Sequence, residues 1–126
     1  MYANDPFSQW LGIEIVEVSA GHCALTMVVR KDMTNGFGIA HGGISYSLAD
    51  SALAFASNGH GNFAVSVETS ISHIKAVKEG DRLKAIAREV SASKRMGHYE
   101  VNIFNQKEEL VAWFKGTVDK KEEIWK

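Results

Sequence analysis

The sequence has one cysteine, no excess of either charge and no long apolar run. A single cysteine, Cys23, excludes an internal disulfide. With 14 lysines and arginines against 15 acidic residues, the net charge of -1 gives no overall field that would attract nucleic acid or an anionic membrane. We therefore expect a partner that is small or is another protein, and neither nucleic acid nor membrane.

The chain also lacks the marks of an exported or membrane-inserted protein. No apolar stretch is long enough to span a bilayer, and the first residues lack the basic and apolar regions of a signal peptide. The sequence thus predicts a cytoplasmic protein. Its 126 residues suffice for one core, so we expect a single domain over residues 1–126.

The hydrophobic periodicity predicts one long helix among six strands. Asp5 and Pro6 are typical of a helix start, and they predict a short helical turn that Gly12 ends. Alternating residues predict strands at 13–18, 23–30, from 62 towards a turn at 77–81, and at 83–92, 99–104 and 110–118. In the long strand from 62, Val65, Val67, Thr69 and Ile71 are predicted on one face. Residues 31–40 are predicted as a loop. The charged tail from 119 is predicted to fray, apart from Ile124 and Trp125.

The long helix is predicted over residues 42–58 and is nearly apolar all round. Such a helix is buried, and its alanines allow neighbouring backbone to approach closely. An antiparallel sheet must then cover it on most sides, which makes the fold class α+β. The last strands and one helix flank would offer a surface to a second subunit.

One acid, Asp50, stands in the middle of this apolar helix. A buried carboxylate without a partner costs several kcal/mol, about as much as a lost core side chain, so its place needs an explanation. Gly42 and Gly43 begin the same helix, where free N–H groups and the helix dipole can polarise a carbonyl oxygen that gains negative charge. Asp50 can attack that carbonyl or activate water. A solvent-facing helix acid is the alternative for Asp50.

The spacing of these groups predicts a shared site. Seven residues separate Gly43 from Asp50, which is roughly 10 Å at the rise of an α-helix. One helix cannot easily apply both groups to one carbonyl. In a two-fold dimer with antiparallel helices, Asp50 of one subunit would lie opposite Gly42 and Gly43 of the other.

Other polar residues allow a structural reading beside a functional one. His41 can cap the helix or position the site, and Asn35 can form a turn or hold water or substrate. Tyr46 and Ser47 lie one turn before Asp50 and share its face. The remaining histidines show no ligand spacing, so no metal site is expected.

The pattern Asn35-x5-His41-Gly42-Gly43-x6-Asp50 resembles the PaaI-type acyl-CoA thioesterases of the hot-dog superfamily, the phenylacetate-pathway branch. The resemblance implies a hot-dog fold, with the sheet wrapped around the helix, and hydrolysis of acyl-CoA to free acid and coenzyme A without a cofactor. It assigns the nucleophile or general base to Asp50 and the polarising amide to Gly42 or Gly43, supported by Asn35 and His41. It further implies a homodimer that pairs into a dimer of dimers.

The resemblance extends to the substrate. It implies an aromatic acyl group such as phenylacetyl or hydroxyphenylacetyl, with medium-chain groups behind it. It places the basic pair Lys94 and Arg95 near the nucleotide end of coenzyme A, although a solvated hairpin explains that pair equally simply. Where the family has a short hydroxyl residue on the strand after the helix, the alignment puts Glu68, beside Thr69.

Two other functions fit the same fold. An acyl-thioester dehydratase would use a histidine and an acid for proton transfer, which requires His41 to reach the acyl chain. A non-catalytic acyl-CoA-binding protein would leave Asp50 without a reason for its place.

Overall fold

A computed structural model describes residues 1–125 and contains one long helix and six strands. The short helix α1 precedes the strands, and two 3-10 turns lie at Tyr2–Asn4 and Lys31–Met33. The elements are α1 (Pro6–Leu11), β1 (Glu14–Ser19), β2 (His22–Val28), α2 (Gly42–Asn58), β3 (Asn62–His73), β4 (Arg82–Ala92), β5 (Met96–Phe104) and β6 (Leu110–Ile124).

The six strands form one antiparallel sheet in the order β1-β2-β4-β5-β6-β3. The inward residues of β2, β4, β5 and β6 are buried against α2, which forms the centre of the core. The α+β class and the hot-dog arrangement are therefore confirmed, and α2 has the predicted bounds.

The helix can lie close to the sheet because β6 carries a glycine beneath it. A Cβ on Gly116 would lie 2.6 Å from a methyl carbon of Leu53 on α2, closer than any real contact allows. The close approach buries Leu53 against β6, and it fixes how the helix axis sits over the strands.

One stripe of α2 is not covered by the sheet. Gly43, Ser47, Asp50 and Ala54 recur at helical spacing and are exposed or half-buried, whereas the residues between them are mostly buried. The sheet is open at this side, since β1 and β3 are its two edges and do not pair with each other. The burial predicted for an all-apolar helix therefore holds on most sides and fails along this stripe.

A β-bulge in β3 changes which side chains face the helix. The register against β6 shifts between Ser66 and Glu68. After the shift, Thr69 and Ile71 pair with buried residues of β6 and point inward, whereas Val65 points outward with the exposed side of the strand. The prediction that Val65, Thr69 and Ile71 share one face was wrong, because a bulge inserts one residue and reverses the alternation beyond it.

The N-terminal helix is as predicted, whereas the C-terminal end is more ordered than the periodicity predicts. Asp5 caps α1 by accepting from the Ser8 N–H at 3.0 Å, and Gly12 ends α1 with φ of 73°, as expected. The predicted fraying of the tail was wrong: β6 continues to Ile124 and pairs with β3, and the Trp125 Nε1–H donates to Asn58 Oδ1 at 2.7 Å. Residue 126 lies outside the described residues.

Candidate active site

The start of α2 offers one free backbone N–H beside one that is already used. The Nδ1 atom of His41, the N-cap residue, accepts from the Gly43 N–H at 2.9 Å. The Gly42 N–H, in the first turn of the helix, has no hydrogen-bond partner within residues 1–125. Of the two glycine amides, only that of Gly42 can therefore donate to a ligand without breaking the cap.

Asn35 organises the loop before the helix. Its Oδ1 accepts from the Phe37 N–H at 2.9 Å, and its own N–H donates to the Ile39 carbonyl at 2.8 Å. These bonds make an Asx turn, which is the structural reading considered for Asn35. Its Nδ2 group has no partner within residues 1–125 and remains a potential donor.

A cavity of about 310 Å³ lies at the N-terminus of α2. Its lining includes polar groups of Asn35, Gly42, Ser45, His73 and Lys75 beside apolar residues such as Ile39, Ile74 and Val77. The ring of His73 lies over Gly42, since a Cβ on that glycine would be 3.3 Å from His73 Nε2. His73 is not among the predicted site residues, although alternation along β3 from Thr69 and Ile71 puts it on the same inward face.

Next to this cavity, α2 and β3 are joined by a hydrogen bond. The hydroxyls of Tyr46 and Thr69 lie 2.7 Å apart, and the Tyr46 ring meets Phe114 edge-on with centroids 5.6 Å apart. Both predicted residues thus lie together between the helix and the sheet edge. Glu68 does not join them, since it pairs with Thr117 on the outer face of the sheet and is exposed there.

Asp50 lies half-buried on the open stripe of α2, with Ser47 one turn before it. Within residues 1–125 its carboxylate makes neither a hydrogen bond nor an ion pair. Burial raises the pKa of the Asp50 carboxyl above its usual value, and the nearby Asp5 adds to that rise. The residue is therefore a desolvated acid that nothing in its own subunit stabilises.

The raised pKa makes the contribution of Asp50 to stability depend on pH. Because the folded state holds the proton more tightly than the unfolded state, this contribution is fully present below the ordinary pKa of 3.8 and is lost as pH rises through the folded pKa. We expect Asp50→Asn to have a larger free energy of unfolding than the native chain at neutral pH. The difference should shrink as pH falls through the folded pKa towards 3.8 and should not change further below that, measured by urea unfolding across a pH series.

Asp119→Asn is the matched control for this series. The Lys121 side chain lowers the pKa of the Asp119 carboxyl, so that acid stabilises the fold above its unfolded pKa and stops doing so as pH falls. Its replacement should therefore act in the opposite direction at neutral pH. If the free energy of unfolding of Asp50→Asn at neutral pH is no larger than that of the native chain, burial does not destabilise the Asp50 carboxylate.

Lys94 and Arg95 lie far from the start of α2, at the turn between β4 and β5. They line a surface cavity of about 890 Å³ at the other end of the helix, together with Ser57, Lys120 and Lys121. The Lys120 N–H donates to the Arg95 carbonyl at 2.7 Å, which holds the turn against β6. Lys120 was not predicted as a site residue, because its strand was expected to have ended before it.

Other reactive groups offer less. Cys23 is buried, and burial raises the pKa of its thiol to about 12, so it supplies no thiolate nucleophile. Among residues 1–125, no group of three His, Cys, Asp or Glu side chains is placed to hold a metal ion. In the same range, no helix is long and apolar enough to cross a membrane.

Comparison with known proteins places this geometry in a family. The model of the thioesterase superfamily matches residues 37–112, which include the last residues of the loop before α2, all of α2 and β3 to β5. The chain belongs to the thioesterase superfamily. In this thioesterase-superfamily chain, the matched region contains both the free amide of Gly42 and the acid Asp50.

Named relatives agree with this membership over nearly the whole chain. The acyl-coenzyme A thioesterase PaaI of Escherichia coli K12 is 39% identical over 116 residues, covering 92% of this chain and 83% of that protein. The structure of the E. coli PaaI protein from the phenylacetic acid degradation operon superposes with a TM-score of 0.96 at 36% identity, covering 98% and 90% of the two chains. The smu.793 protein of Streptococcus mutans UA159, solved with acetyl-CoA, gives a TM-score of 0.87 at 28% identity, covering 90% and 91%.

Proposed function

We propose that this protein hydrolyses acyl-CoA thioesters at sites shared between two subunits. The observation that carries the proposal is the placement of two groups on α2: the free Gly42 N–H and the unpartnered Asp50 carboxylate. Eight residues separate them, which is about 12 Å along the helix. Each group needs a ligand, and the two are too far apart to act on one carbonyl within a subunit.

A two-fold dimer resolves this separation. β3 is an edge strand of 12 residues, so its outer backbone groups are free to pair with another strand. Antiparallel pairing of β3 with the same strand of a second copy would bring the two open stripes of α2 side by side in opposite directions. Asp50 of one subunit then lies opposite Gly42 of the other, twice in each dimer.

The proposed chemistry at each shared site needs one hydrogen-bond donor and one carboxylate. The Gly42 N–H donates to the thioester oxygen, where negative charge develops, and the helix dipole adds to the effect. In one route Asp50 removes a proton from the attacking water; in the other it attacks the carbonyl carbon, and water then hydrolyses the mixed anhydride and frees the carboxylate. In both routes the carbon–sulfur bond breaks and coenzyme A leaves as the thiolate. Burial raises the pKa of the Asp50 carboxyl, which makes its carboxylate a stronger base than that of an exposed aspartate. No cofactor takes part.

The remaining residues support this reaction from the sides. His41 holds the first turn of α2 by accepting from the Gly43 N–H. Asn35, whose Nδ2 group is free, lines the cavity at the N-terminus of α2. Tyr46, linked to Thr69, and Ser47 line the approach to Asp50 along the open stripe.

The hydrogen bonding of His41 argues against a dehydratase. Its Nδ1 accepts a hydrogen bond, so in the neutral ring the proton is on Nε2. A dehydratase histidine must remove a proton from the acyl chain, and this ring has no free basic nitrogen while the cap is intact. Hydrolysis by Asp50 requires no such change.

The coenzyme A end and the acyl end of the substrate are proposed to be recognised separately. We propose that Lys94 and Arg95, with Lys120 beside them, bind the phosphates of coenzyme A, since these cations and Lys121 outnumber the acids Asp119 and Glu122 in this cavity. For the acyl group we propose phenylacetyl or hydroxyphenylacetyl, supported by the operon of the E. coli relative. We further propose that the dimers pair into a dimer of dimers and act in the cytoplasm.

The test of this function is thiol release from a panel of acyl-CoA thioesters. The panel contains phenylacetyl-CoA, hydroxyphenylacetyl-CoA and a medium-chain acyl-CoA, and a thiol reagent measures the coenzyme A set free. We expect turnover of all three, with the largest kcat/KM for the aromatic thioesters. Thiol release from none of them would refute the proposed activity, and a preference for the medium-chain thioester would refute the aromatic assignment alone.

A further inference from the structure

His73 stands in front of the free amide at the start of α2. At the N-terminus of a helix, both the N–H and the Cα–Cβ direction point back towards the preceding turn. The Cβ position of Gly42 is 3.3 Å from His73 Nε2, so the imidazole edge lies beside the residue that carries the free N–H. A ligand atom that accepts from this amide can therefore also be reached by the imidazole.

The imidazole is free to bind such an atom. Neither ring nitrogen of His73 has a hydrogen-bond partner within residues 1–125, and the residue is exposed to the 310 Å³ cavity that Gly42 and Asn35 also line. Two acceptors nearby, His41 Nδ1 and Asn35 Oδ1, are in contrast occupied by backbone N–H groups. His73 is thus a side-chain donor beside Gly42, and both of its ring nitrogens are open to a ligand.

The fold holds this ring in place. His73 ends β3 opposite Ala112 of β6, inward of the sheet, and the next residue, Ile74, donates its N–H to the Val111 carbonyl at 2.9 Å. A side chain on a paired strand is positioned more accurately than one on a loop. The small side chain of Ala112 leaves the ring room to lie over Gly42.

From this geometry we infer that His73 is a catalytic residue: its imidazole N–H donates a second hydrogen bond to the thioester oxygen that the Gly42 N–H polarises. The inference rests on the proposed hydrolysis and adds to it a residue from the same subunit as Gly42. Two donors on one oxygen stabilise the developing negative charge more than one does, and removing a donor of this kind typically costs about 100-fold in kcat.

Three variants separate this role from packing. His73→Phe keeps a ring over Gly42 but removes the donor, and we expect its kcat on phenylacetyl-CoA to fall about 100-fold with KM little changed. His73→Gln places an amide N–H near the position of Nε2 and should recover about a tenth or more of the native kcat. The control is His98→Phe, because His98 bonds Thr117 on the outer face of the sheet and should leave kcat within about twofold.

A second measurement reads the carbonyl directly and does not depend on turnover. Phenylacetyl-CoA labelled with ¹³C at the carbonyl is bound to Asp50→Asn, and the infrared carbonyl stretch is compared with that in Asp50→Asn/His73→Phe. We expect a lower frequency when His73 is present. Equal frequencies, or native kcat in His73→Phe, would overturn the role of His73 while leaving the hydrolase intact. Absence of thiol release by the native protein would instead overturn the proposed function itself.

Discussion

Asp50→Asn is expected to lower kcat on phenylacetyl-CoA by a factor of about 10² to 10⁴, the usual loss when a positioned acid or base is removed. Asparagine fills the same volume, so the half-buried place on α2 stays packed and KM should change little. The same variant should also be more stable than the native chain at neutral pH, because it removes a desolvated carboxylate without a partner. Lower activity together with higher stability is the signature of a residue retained for function.

The control for this loss is an acid outside the site. Asp32 lies in the 3-10 turn after β2, where it pairs with Arg30 at 3.3 Å and is exposed. Asp32→Asn should keep native kcat in the same thiol-release assay. Native kcat in Asp50→Asn, or an equal loss in both variants, would contradict the assignment of the reaction to Asp50.

Much of the fold could be predicted because local chemistry and tertiary packing agree. The bounds of α2 follow from the glycine pair at its start, the apolar run and the glycines after Asn58. The distance between Gly42 and Asp50 can be calculated from the rise of an α-helix alone. That distance predicts a site shared between two subunits.

Other features depend on long-range pairing that periodicity does not report. The bulge between Ser66 and Glu68 puts Val65 on the outer face of β3, whereas alternation alone groups it with Thr69 and Ile71. The charged end of β6 looks like a frayed tail, but pairing with β3 continues it to Ile124 and brings Lys120 beside Arg95. Each of these details follows from pairing with a strand that is distant in the sequence.

The choice between two equivalent glycines also required the structure. The sequence allows the amide of either Gly42 or Gly43 to polarise a carbonyl. The bond from the Gly43 N–H to His41 Nδ1 removes one of them and explains why a histidine precedes the pair. The free amide is then the one over which His73 lies.

The shared site predicts that two inactive variants restore each other. Asp50→Asn lacks the attacking group, and Gly42→Val is expected to be inactive because its side chain would displace the His73 ring and cover the amide. In a mixed dimer, one of the two sites carries both defects. The other site has a native Gly42 and a native Asp50, so activity should reappear without any native subunit present.

The most direct test of the account measures kcat after equal amounts of these two variants are unfolded together, refolded and checked for mixed dimers by native mass spectrometry. Random pairing makes half of the dimers mixed, and each mixed dimer has one working site of two. A shared site therefore predicts about a quarter of the native kcat, averaged over all sites in the sample. Each variant refolded alone controls for residual activity. No recovery in a sample proven to contain mixed dimers would show that Gly42 and Asp50 act within one subunit, and would contradict the shared site.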